Sequence, residues 1–417
     1  MVNKHDHVEL ELTDLSYLGG GVGRLPDNRA VFVTGGLPGE RVEVEIDEVK
    51  RAYAAGHVVA VHRPAPERAT PPCPYFGSCG GCQWQHLAYT AHVNWKTRLL
   101  ERQLSRIAHL TGAPVQPMIP AARPWNYRNQ ARFSLDEAGN LCFTRPRSRD
   151  KLPIAACQIL QEPIVELMPR LQGLLPNAHQ LVVRYGARTG QFLIAPELPT
   201  ADVPSGQPFY EEILLGQTYR VSAPSFFQVN TRVDERDLPA TIRAPWLPER
   251  RASFSQADLL ALLVLDRLEL TGRETVIDAY GGVGTFALPI AERAARVIGI
   301  EEAPAAVHDA EYNARHLENV SFLVGRTEAR LADVGVKPDA VVLDPSRVGC
   351  APEVIDALAA LRPETLVYVS CAPATLARDL ERLVALGFAL KDVQPIDMFP
   401  QTHHIETVCL LKSAAGS

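Results

Sequence analysis

From residue 274 onward, strand-like and helical segments alternate along the chain, and this alternation is the feature that most constrains the fold. The strand-like segments are TVIDAY (275–280), RVIGIE (296–301), VSFLVG (320–325), AVVLDP (340–345), TLVYVSC (365–371) and ETVCLLK (406–412). Such a pattern is typical of a parallel sheet whose strands are joined by crossover helices. Ligands of these sheets bind at the carboxyl ends of the strands. The sequence therefore predicts an α/β domain whose functional residues follow its strands.

The rest of the chain predicts two further domains. Residues 8–62 alternate short apolar runs with glycines, as strands of a small β-barrel do. A proline-containing stretch at 63–74 predicts a linker, and strand and turn signals over 120–225 predict a β-rich unit. The predicted domains are 1–64, 65–230 and 231–417, with 231–272 as a mainly helical lead-in to the sheet.

Charge is unevenly distributed along the chain. The whole chain carries a net charge of −6, which argues weakly against a nucleic-acid partner, but residues 63–160 carry a net charge of +8. A basic section between acidic ones is compatible with a phosphate-facing surface and equally with a solvated basic face. The sequence shows neither a signal-peptide pattern nor 18 consecutive apolar residues. We therefore expect a cytoplasmic protein without a membrane partner.

A glycine-rich turn follows the first strand of the predicted sheet. Gly281, Gly282 and Gly284 would allow a tight turn and a close approach of a ligand to the backbone. Glu301 ends the next strand, where an acid can accept hydrogen bonds from two ribose hydroxyls. NAD and S-adenosylmethionine both fit this pattern, as does a turn without a ligand. The spacing departs from G-x-G-x-x-G, which disfavours NAD.

Three further candidates lie at strand ends. Asp344 lies near the end of AVVLDP, and Cys371 lies between the strand TLVYVS and a helical stretch. A free cysteine is usually a small buried apolar residue, but at a helix N-terminus its thiolate is stabilised, which makes a nucleophile possible. Glu406 begins the last strand, where a lone glutamate is usually solvated. A separate group, Cys73, Cys79 and Cys82, suggests a metal site or catalysis in a reducing compartment.

Taken together, the motifs resemble the RNA uracil-5-methyltransferase family over nearly the whole chain. They are GGGVGRLPDNRAVFVTGGLPGERVEVEI, CPYFGSCGGCQWQHL, AACQIL, NYRNQARF, SFFQVN, DAYGGVGTF, GIE, LDPSRVG, SCAPATLARDL and FPQTHHIETV. The resemblance implies a multidomain α/β protein with a Rossmann-like class I methyltransferase sheet at its C-terminal end. It also implies an OB-like TRAM β-barrel at the N-terminal end and a central β-rich domain with an iron–sulfur loop.

The resemblance assigns roles to individual residues. Four residues fall where the family holds S-adenosylmethionine, namely Gln228, Tyr280, Glu301 and Asp344. Cys371 falls at the nucleophile and Glu406 at the general base, with His403 and His404 as the next candidates for the base. Carbon 5 of uracil is a weak nucleophile, and thiolate attack on carbon 6 makes it electron-rich. A base must then remove the proton from carbon 5.

The cysteine motif gains a fourth member through the resemblance. The implied ligands are Cys73, Cys79, Cys82 and Cys157. The spacing suits a structural zinc ion as well as a 4Fe–4S cluster, and the resemblance favours the cluster. A structural role, tying the cysteine loop to the β-rich domain, and a redox-sensing role are both open.

The sequence also departs from the family's pattern. Gly281 replaces a cysteine, Ser346 a proline and Ala372 an asparagine, and Ala372 removes an amide beside the nucleophile. An insertion around 235–265 predicts a surface helix or an extra RNA contact. Family members with both the TRAM domain and the cysteine motif mostly act on 23S ribosomal RNA, so we expect a monomeric enzyme with that partner. Transfer RNA methylation and a catalytically weakened RNA-binding iron–sulfur protein are the alternatives.

Overall fold

The computed structural model of the chain describes residues 2–176, 178–247 and 249–413. They form two compact units. Unit 1 comprises residues 1–99, 142–154 and 399–403, and unit 2 comprises residues 100–141, 155–398 and 404–417. The three predicted domain ranges stay a prediction, because the units are discontinuous along the chain.

The strands are β1 His7–Leu15, β2 Gly21–Arg24, β3 Ala30–Thr34, β4 Arg41–Val49, β5 Tyr53–Arg63, β6 Gln130–Leu135, β7 Leu141–Thr144, β8 Lys151–Pro153, β9 Gln180–Tyr185, β10 Phe192–Ala195, β11 Phe209–Leu214, β12 Gln217–Ser222, β13 Val233–Asp237, β14 Arg251–Ser255, β15 Thr275–Ala279, β16 Arg296–Glu301, β17 Val320–Val324, β18 Ala340–Leu343, β19 Thr365–Ser370, β20 Phe388–Ile396 and β21 Glu406–Ser413. The helices are α1 Tyr89–Ile107, α2 Glu162–Leu171, α3 Gln256–Leu268, α4 Ala287–Ala291, α5 Pro304–Asn313, α6 Thr327–Arg330, α7 Pro352–Leu361 and α8 Pro373–Ala385. None of the helices in the described ranges is long and apolar enough to cross a membrane.

Unit 1 contains a closed β-barrel of five strands, in the order β1-β2-β3-β5-β4. Alternate residues of each strand point inward and form an apolar core, including Leu12, Val31 and Val44. Glu40 is buried at the barrel's edge, where burial alone would raise its pKa. Hydrogen bonds from Arg68 and from the backbone N–H groups of Leu37 and Ala65 outweigh that effect and lower the pKa of Glu40.

The closed strand order confirms the predicted N-terminal barrel.

The rest of unit 1 is held together around Trp84. Its side chain is fully buried, and its indole N–H donates to the carbonyl of Gly19 at 3.1 Å. The backbone N–H groups of Gln83 and Trp84 both donate to the carbonyl of Gln401, at 3.0 and 3.1 Å. The carbonyl of Phe399 accepts from the Lys96 ammonium at 3.1 Å. These bonds explain why the distant segment 399–403 belongs to this unit.

Unit 2 begins with small antiparallel elements. Strands β10, β9 and β6 pair in that order, and β11 and β12 form a hairpin. The expected strand content of 120–225 is therefore present.

The predicted helical lead-in differs from the structure. Strands β13 and β14 form an antiparallel hairpin that precedes α3, so the helix begins at residue 256. Ser255 caps α3 in a capping box with Asp258, which explains this start. Every residue of α3 is buried, so the helix expected on the surface in the 235–265 insertion is instead part of the core.

A seven-stranded sheet forms the main part of unit 2, with the order β17-β16-β15-β18-β19-β21-β20. The first five strands are parallel, and β21 runs antiparallel to both β19 and β20. All residues of β18 and β19 are buried, as expected for strands covered on both faces. Helices pack against the sheet, including α3 on β19 and β21, α5 on β16 and β17, and α8 on β20. The predicted α/β sheet is confirmed.

Candidate active site

The strand order places five of the predicted site residues at one edge of the seven-stranded sheet. Chain order reverses between β15 and β18, the switch point at which such sheets bind ligands. Tyr280 follows β15, Glu301 ends β16, Asp344 follows β18 and Cys371 follows β19. Glu406 joins them because β21 is antiparallel, so its first residue lies at the edge where the parallel strands end.

The glycine turn after β15 is tightly built. Tyr280 has φ of 69°, a left-handed conformation that is uncommon outside glycine, and Gly284 has φ of 87°. A Cβ at Gly284 would lie 2.4 Å from Cδ1 of Leu288, so only glycine fits there. The turn brings the N–H of Gly282 to 3.0 Å from one carboxylate oxygen of Glu301. The N–H of Ala303 donates to the other oxygen at 2.8 Å.

These two bonds fix the orientation of the Glu301 carboxylate and leave it further acceptor sites. The residue is partly buried at the end of β16. A carboxylate held in this way can accept hydrogen bonds from a ribose, as predicted from the sequence.

Buried acids surround the turn. Burial, together with Asp344 and Glu301, raises the pKa of Asp278 to about 8. Burial raises the pKa of Asp344 to about 7. Several acids close together with little access to water match a positively charged ligand, because such a ligand would stabilise their ionised forms.

Cys371 directly follows β19, and Glu406 begins the neighbouring strand β21. Ser370, just before the cysteine, pairs with Thr407, just after the glutamate. Glu406 is only 5% exposed, and burial together with the charge of Asp344 raises its pKa well above the ordinary value, although Arg347 opposes this. A carboxylate with a raised pKa is a stronger base, so this geometry suits proton removal beside a thiol.

The surroundings of the Cys371 thiol raise its pKa. Burial is the largest cause, followed by the charges of Glu406 and Asp344, and together they raise the pKa of Cys371 to about 12. Cys371 does precede α8, as predicted, with Ala372 at the N-cap position. Burial and two carboxyl groups therefore raise the pKa of a thiol that directly precedes a helix.

Arg347 is a site residue that the sequence reasoning missed. It lowers the pKa of Cys371 by its charge and by a side-chain hydrogen bond, and it also lowers the pKa of Glu406. Its Nη2 atom lies 3.3 Å from Nε2 of His404. The available signal was its position three residues after Asp344 in LDPSRVG.

The remaining predicted residues are found elsewhere. Gln228 lies on the segment after β12; it is 6% exposed, and its backbone carbonyl accepts a bond of 3.1 Å from the Asn129 amide. His403 belongs to unit 1, where it lies 3.2 Å from the Gln83 side chain and packs edge-on against Tyr17. The role of Gln228 towards a cofactor stays a prediction.

The cysteine loop lies in unit 1, and Cys157 belongs to unit 2. The Gly81 N–H donates to the Cys79 sulfur at 3.4 Å. Burial raises the pKa of Cys79, the Gly81 bond opposes this, and nearby Cys73 raises it further. Among residues 2–176, 178–247 and 249–413, no group of three or more His, Cys, Asp or Glu side chains is arranged to hold a metal ion. Thiol sulfurs are the donors that an iron–sulfur cluster takes, but the described residues do not bring three or more of them around one position.

Comparisons with known proteins identify the family. Residues 5–59 match the TRAM domain, and residues 262–414 match the tRNA (uracil-5-)-methyltransferase family. An uncharacterised RNA methyltransferase of Halalkalibacterium halodurans is 34% identical, over 99% of this chain and 98% of that protein. One from Gloeobacter violaceus is also 34% identical, over 97% and 96%.

The chain belongs to the RNA uracil-5-methyltransferase family. The fold agrees with this membership. The tRNA (uracil-54, C5)-methyltransferase of Pyrococcus abyssi, solved in complex with S-adenosyl-L-homocysteine, superimposes with a TM-score of 0.70 at 23% identity. That comparison covers 97% of this chain and 100% of the other. The TRAM match coincides with the five-stranded barrel, and the methyltransferase match contains Tyr280, Glu301, Asp344, Cys371 and Glu406.

Proposed function

We propose that the chain methylates carbon 5 of a uridine in 23S ribosomal RNA, with Cys371 as nucleophile and Glu406 as general base. The observation that carries this proposal is their placement at adjacent ends of the paired strands β19 and β21, with Asp344 and Arg347 beside them. A nucleophile next to a buried base suits covalent catalysis followed by proton removal.

The methyl donor would be held at the switch point by Tyr280, Glu301 and Asp344, together with Gln228. When bound, S-adenosylmethionine supplies an electrophilic methyl group. The acids around the glycine turn fit its positive sulfonium and ammonium groups, and the fixed carboxylate of Glu301 fits its ribose.

The chain's own residues account for the other steps. The Cys371 thiol gives its proton to solvent water, the positive charge of Arg347 stabilises the thiolate, and the thiolate forms a bond to carbon 6 of the uracil. The electron pair of the carbon 5–carbon 6 double bond makes carbon 5 nucleophilic, and carbon 5 takes the methyl group. Glu406 then accepts the carbon 5 proton, the double bond re-forms and the thiolate leaves. The target base must be flipped out of its surroundings to reach this edge, at a cost of a few kcal/mol.

The four cysteines are proposed to bind a 4Fe–4S cluster with a structural role. Two observations support this proposal. The Gly81 N–H donates to the Cys79 sulfur, as N–H groups do to cluster sulfurs, and Cys73 lies near Cys79. No step of the methylation passes through the cluster.

A transfer RNA substrate is the second candidate. The family that matches residues 262–414 is named for tRNA, and the Pyrococcus abyssi protein is a tRNA (uracil-54, C5)-methyltransferase. The presence of both the barrel and the cysteine motif favours ribosomal RNA, and the +8 section at 63–160 would attract its phosphates.

Mapping 5-methyluridine in rRNA and tRNA from cells with and without the gene tests the substrate. Loss of a modified position in 23S rRNA alone would support the proposal. Loss in tRNA alone would replace it with the second candidate, and unchanged levels in both would contradict methylation of either RNA.

A further inference from the structure

The loop that carries Arg347 is held from behind by the helix that follows Cys371. We call residues 344–350 the arginine loop, and Thr375, Arg378 and Asp379 of α8 the helix clamp. Arg347 is exposed, and its own side-chain contacts are with Cys371 and His404. An exposed arginine has many rotamers of similar energy, so its position depends on where the backbone of its loop is held.

The helix clamp binds the backbone of the arginine loop at several successive positions. The Thr375 hydroxyl lies 3.1 Å from the Arg347 carbonyl and 3.0 Å from the Ala372 carbonyl. The Arg378 guanidinium donates to the carbonyls of Val348 and Cys350, at 3.0 and 3.2 Å. Thr375 thereby connects the backbone of Arg347 to the residue next to the nucleophile.

Asp379 completes the clamp from a buried position. It is 1% exposed, and its Oδ2 atom accepts from the Cys350 N–H at 2.8 Å and from the Tyr368 hydroxyl at 2.7 Å. The Cys350 sulfur lies 3.5 Å from the same hydroxyl. If the loop moved away from Asp379, buried hydrogen-bonding groups would lose their partners, which costs free energy. Asp379 therefore holds this end of the loop firmly.

Gly349 shows how close the loop and the helix are. Its φ is +75°, and a Cβ there would lie 2.5 Å from Oδ2 of Asp379, 2.6 Å from Nη2 of Arg378 and 3.1 Å from Cβ of Thr375. Only glycine allows the loop to approach the clamp in this way.

We propose that Thr375, Arg378 and Asp379 are positioning residues that hold the arginine loop so that the Arg347 guanidinium stays beside Cys371. The groups that face the thiol are Glu406 from β21 and Asp344 and Arg347 from the loop after β18. Arg347 carries the positive charge among these three groups. If the arginine loop moved and took the guanidinium away, the thiol would face the two acids without it. The catalytic consequence rests on the proposed function, but the positioning itself can be measured without RNA or methyl transfer.

The test compares two alkylating reagents on the full-length protein at about pH 8. Anionic iodoacetate and neutral iodoacetamide react with the same thiolate, and peptide mass spectrometry follows Cys371 alone. A change in pKa or access alters both rates alike, whereas a nearby positive charge favours iodoacetate. One unit charge near the thiol in a water-like medium changes their ratio about threefold to fivefold.

We expect Arg347→Met to lower the iodoacetate-to-iodoacetamide ratio by about threefold to fivefold. Thr375→Val and Arg378→Gln should each lower the ratio by about twofold, since a loosened loop keeps part of the charge nearby. Thr375→Ser keeps the hydroxyl and should restore the wild-type ratio. Arg382→Gln is the matched control, because Arg382 lies on the same helix and pairs with Asp356 instead of the loop.

The double variant with Arg347→Met decides whether the clamp acts through Arg347. We expect Thr375→Val to change nothing further in that background, which is the signature of two residues acting as one unit. The proposal is overturned if Thr375→Val and Arg378→Gln leave the ratio unchanged, or if they lower it equally in the Arg347→Met background. Methylation by Cys371→Ala would overturn the proposed function and leave this result standing.

Discussion

Two cysteine-containing regions of the molecule differ in how their surroundings are built. Cys371 follows a fully buried strand, and the register of β19 against β21 determines which residues face it. Cys79 lies in a loop, where its described partners are the Gly81 N–H and the nearby Cys73. Burial raises the pKa of both thiols.

The difference shows two ways of preparing a thiol. At the sheet edge, the backbone positions carboxyl groups and an arginine around Cys371 before any substrate arrives. In the loop, the proposed cluster would organise the thiols, because loops with few buried contacts are set by local bonds. The first region is therefore expected to fail chemically when its cysteine is removed, and the second to fail structurally.

The largest expected effect is on the nucleophile. Cys371→Ala should abolish methylation of an RNA transcript while S-adenosylmethionine binding stays within about twofold, because covalent attack is lost and the cofactor residues are untouched. Cys409→Ala is the matched control, since Cys409 is fully buried on β21 and should leave methylation nearly unchanged. Residual activity of Cys371→Ala within about tenfold of wild type would exclude covalent catalysis by this thiol.

The cysteine loop should show the opposite response. Anaerobically purified protein should contain about four irons per chain, and Cys79→Ser should lose them and become less stable, with cofactor binding retained. Cys142→Ala serves as control, because Cys142 is a buried cysteine of β7 outside the motif. Iron and sulfide analysis measures this, and stoichiometric zinc without iron would contradict the cluster.

The buried Asp278 at the glycine turn should make the protein less stable at higher pH. The pKa of Asp278 is about 8 when folded against an ordinary value near 4, so the folded state binds the proton more tightly. Its contribution is fully present below about pH 4 and is lost as pH rises towards about 8, by about 1.4 kcal/mol per pH unit. Asp278→Asn should flatten this part of the free energy of unfolding measured by urea denaturation.

Exposed Asp333 supplies the control for that measurement. Asp333→Asn should leave the pH dependence unchanged, because the residue lies in solvent. An Asp278→Asn protein with the same slope as wild type between about pH 5 and about pH 8 would show that Asp278 does not hold a proton when folded.

The smallest expected effect is at the N-terminus of α8. Ala372 occupies the N-cap position without a side-chain bond to the helix. Ala372→Asn restores a capping side chain and should stabilise the protein by about 1 kcal/mol, seen as a small rise in Tm. An unchanged or lower Tm would show that the asparagine side chain faces the pocket instead of the helix.

The sequence predicted the barrel and the parallel sheet because their apolar patterns have the period of buried strands. It missed the hairpin of β13 and β14, since VDERD and RASFS are too polar to indicate strands. Every residue of β13 pairs with a residue of β14, and a hydrophobic pattern does not reveal backbone pairing of this kind.

The site was predicted in part. Strand ends and motifs located Tyr280, Glu301 and Asp344 at the sheet edge. Arg347 was not predicted as a site residue, although it lies three residues after Asp344, because the bonds between its loop and α8 join segments that are separate in the sequence. The raised pKa of Cys371 was also missed, because it comes from burial and from the charges of Glu406 and Asp344, which are distant in the sequence.

Trapping of the reaction after methyl transfer tests the central claim most directly. If Glu406 removes the carbon 5 proton, Glu406→Gln still allows Cys371 to attack and the methyl group to move, but the thiolate cannot leave. We therefore expect a methylated protein–RNA adduct that survives denaturing gels, and no adduct in the double variant with Cys371→Ala. A slow Glu406→Gln enzyme that releases methylated RNA without any adduct would contradict the account and assign the base to another residue, with His404 beside Arg347 as the first to test.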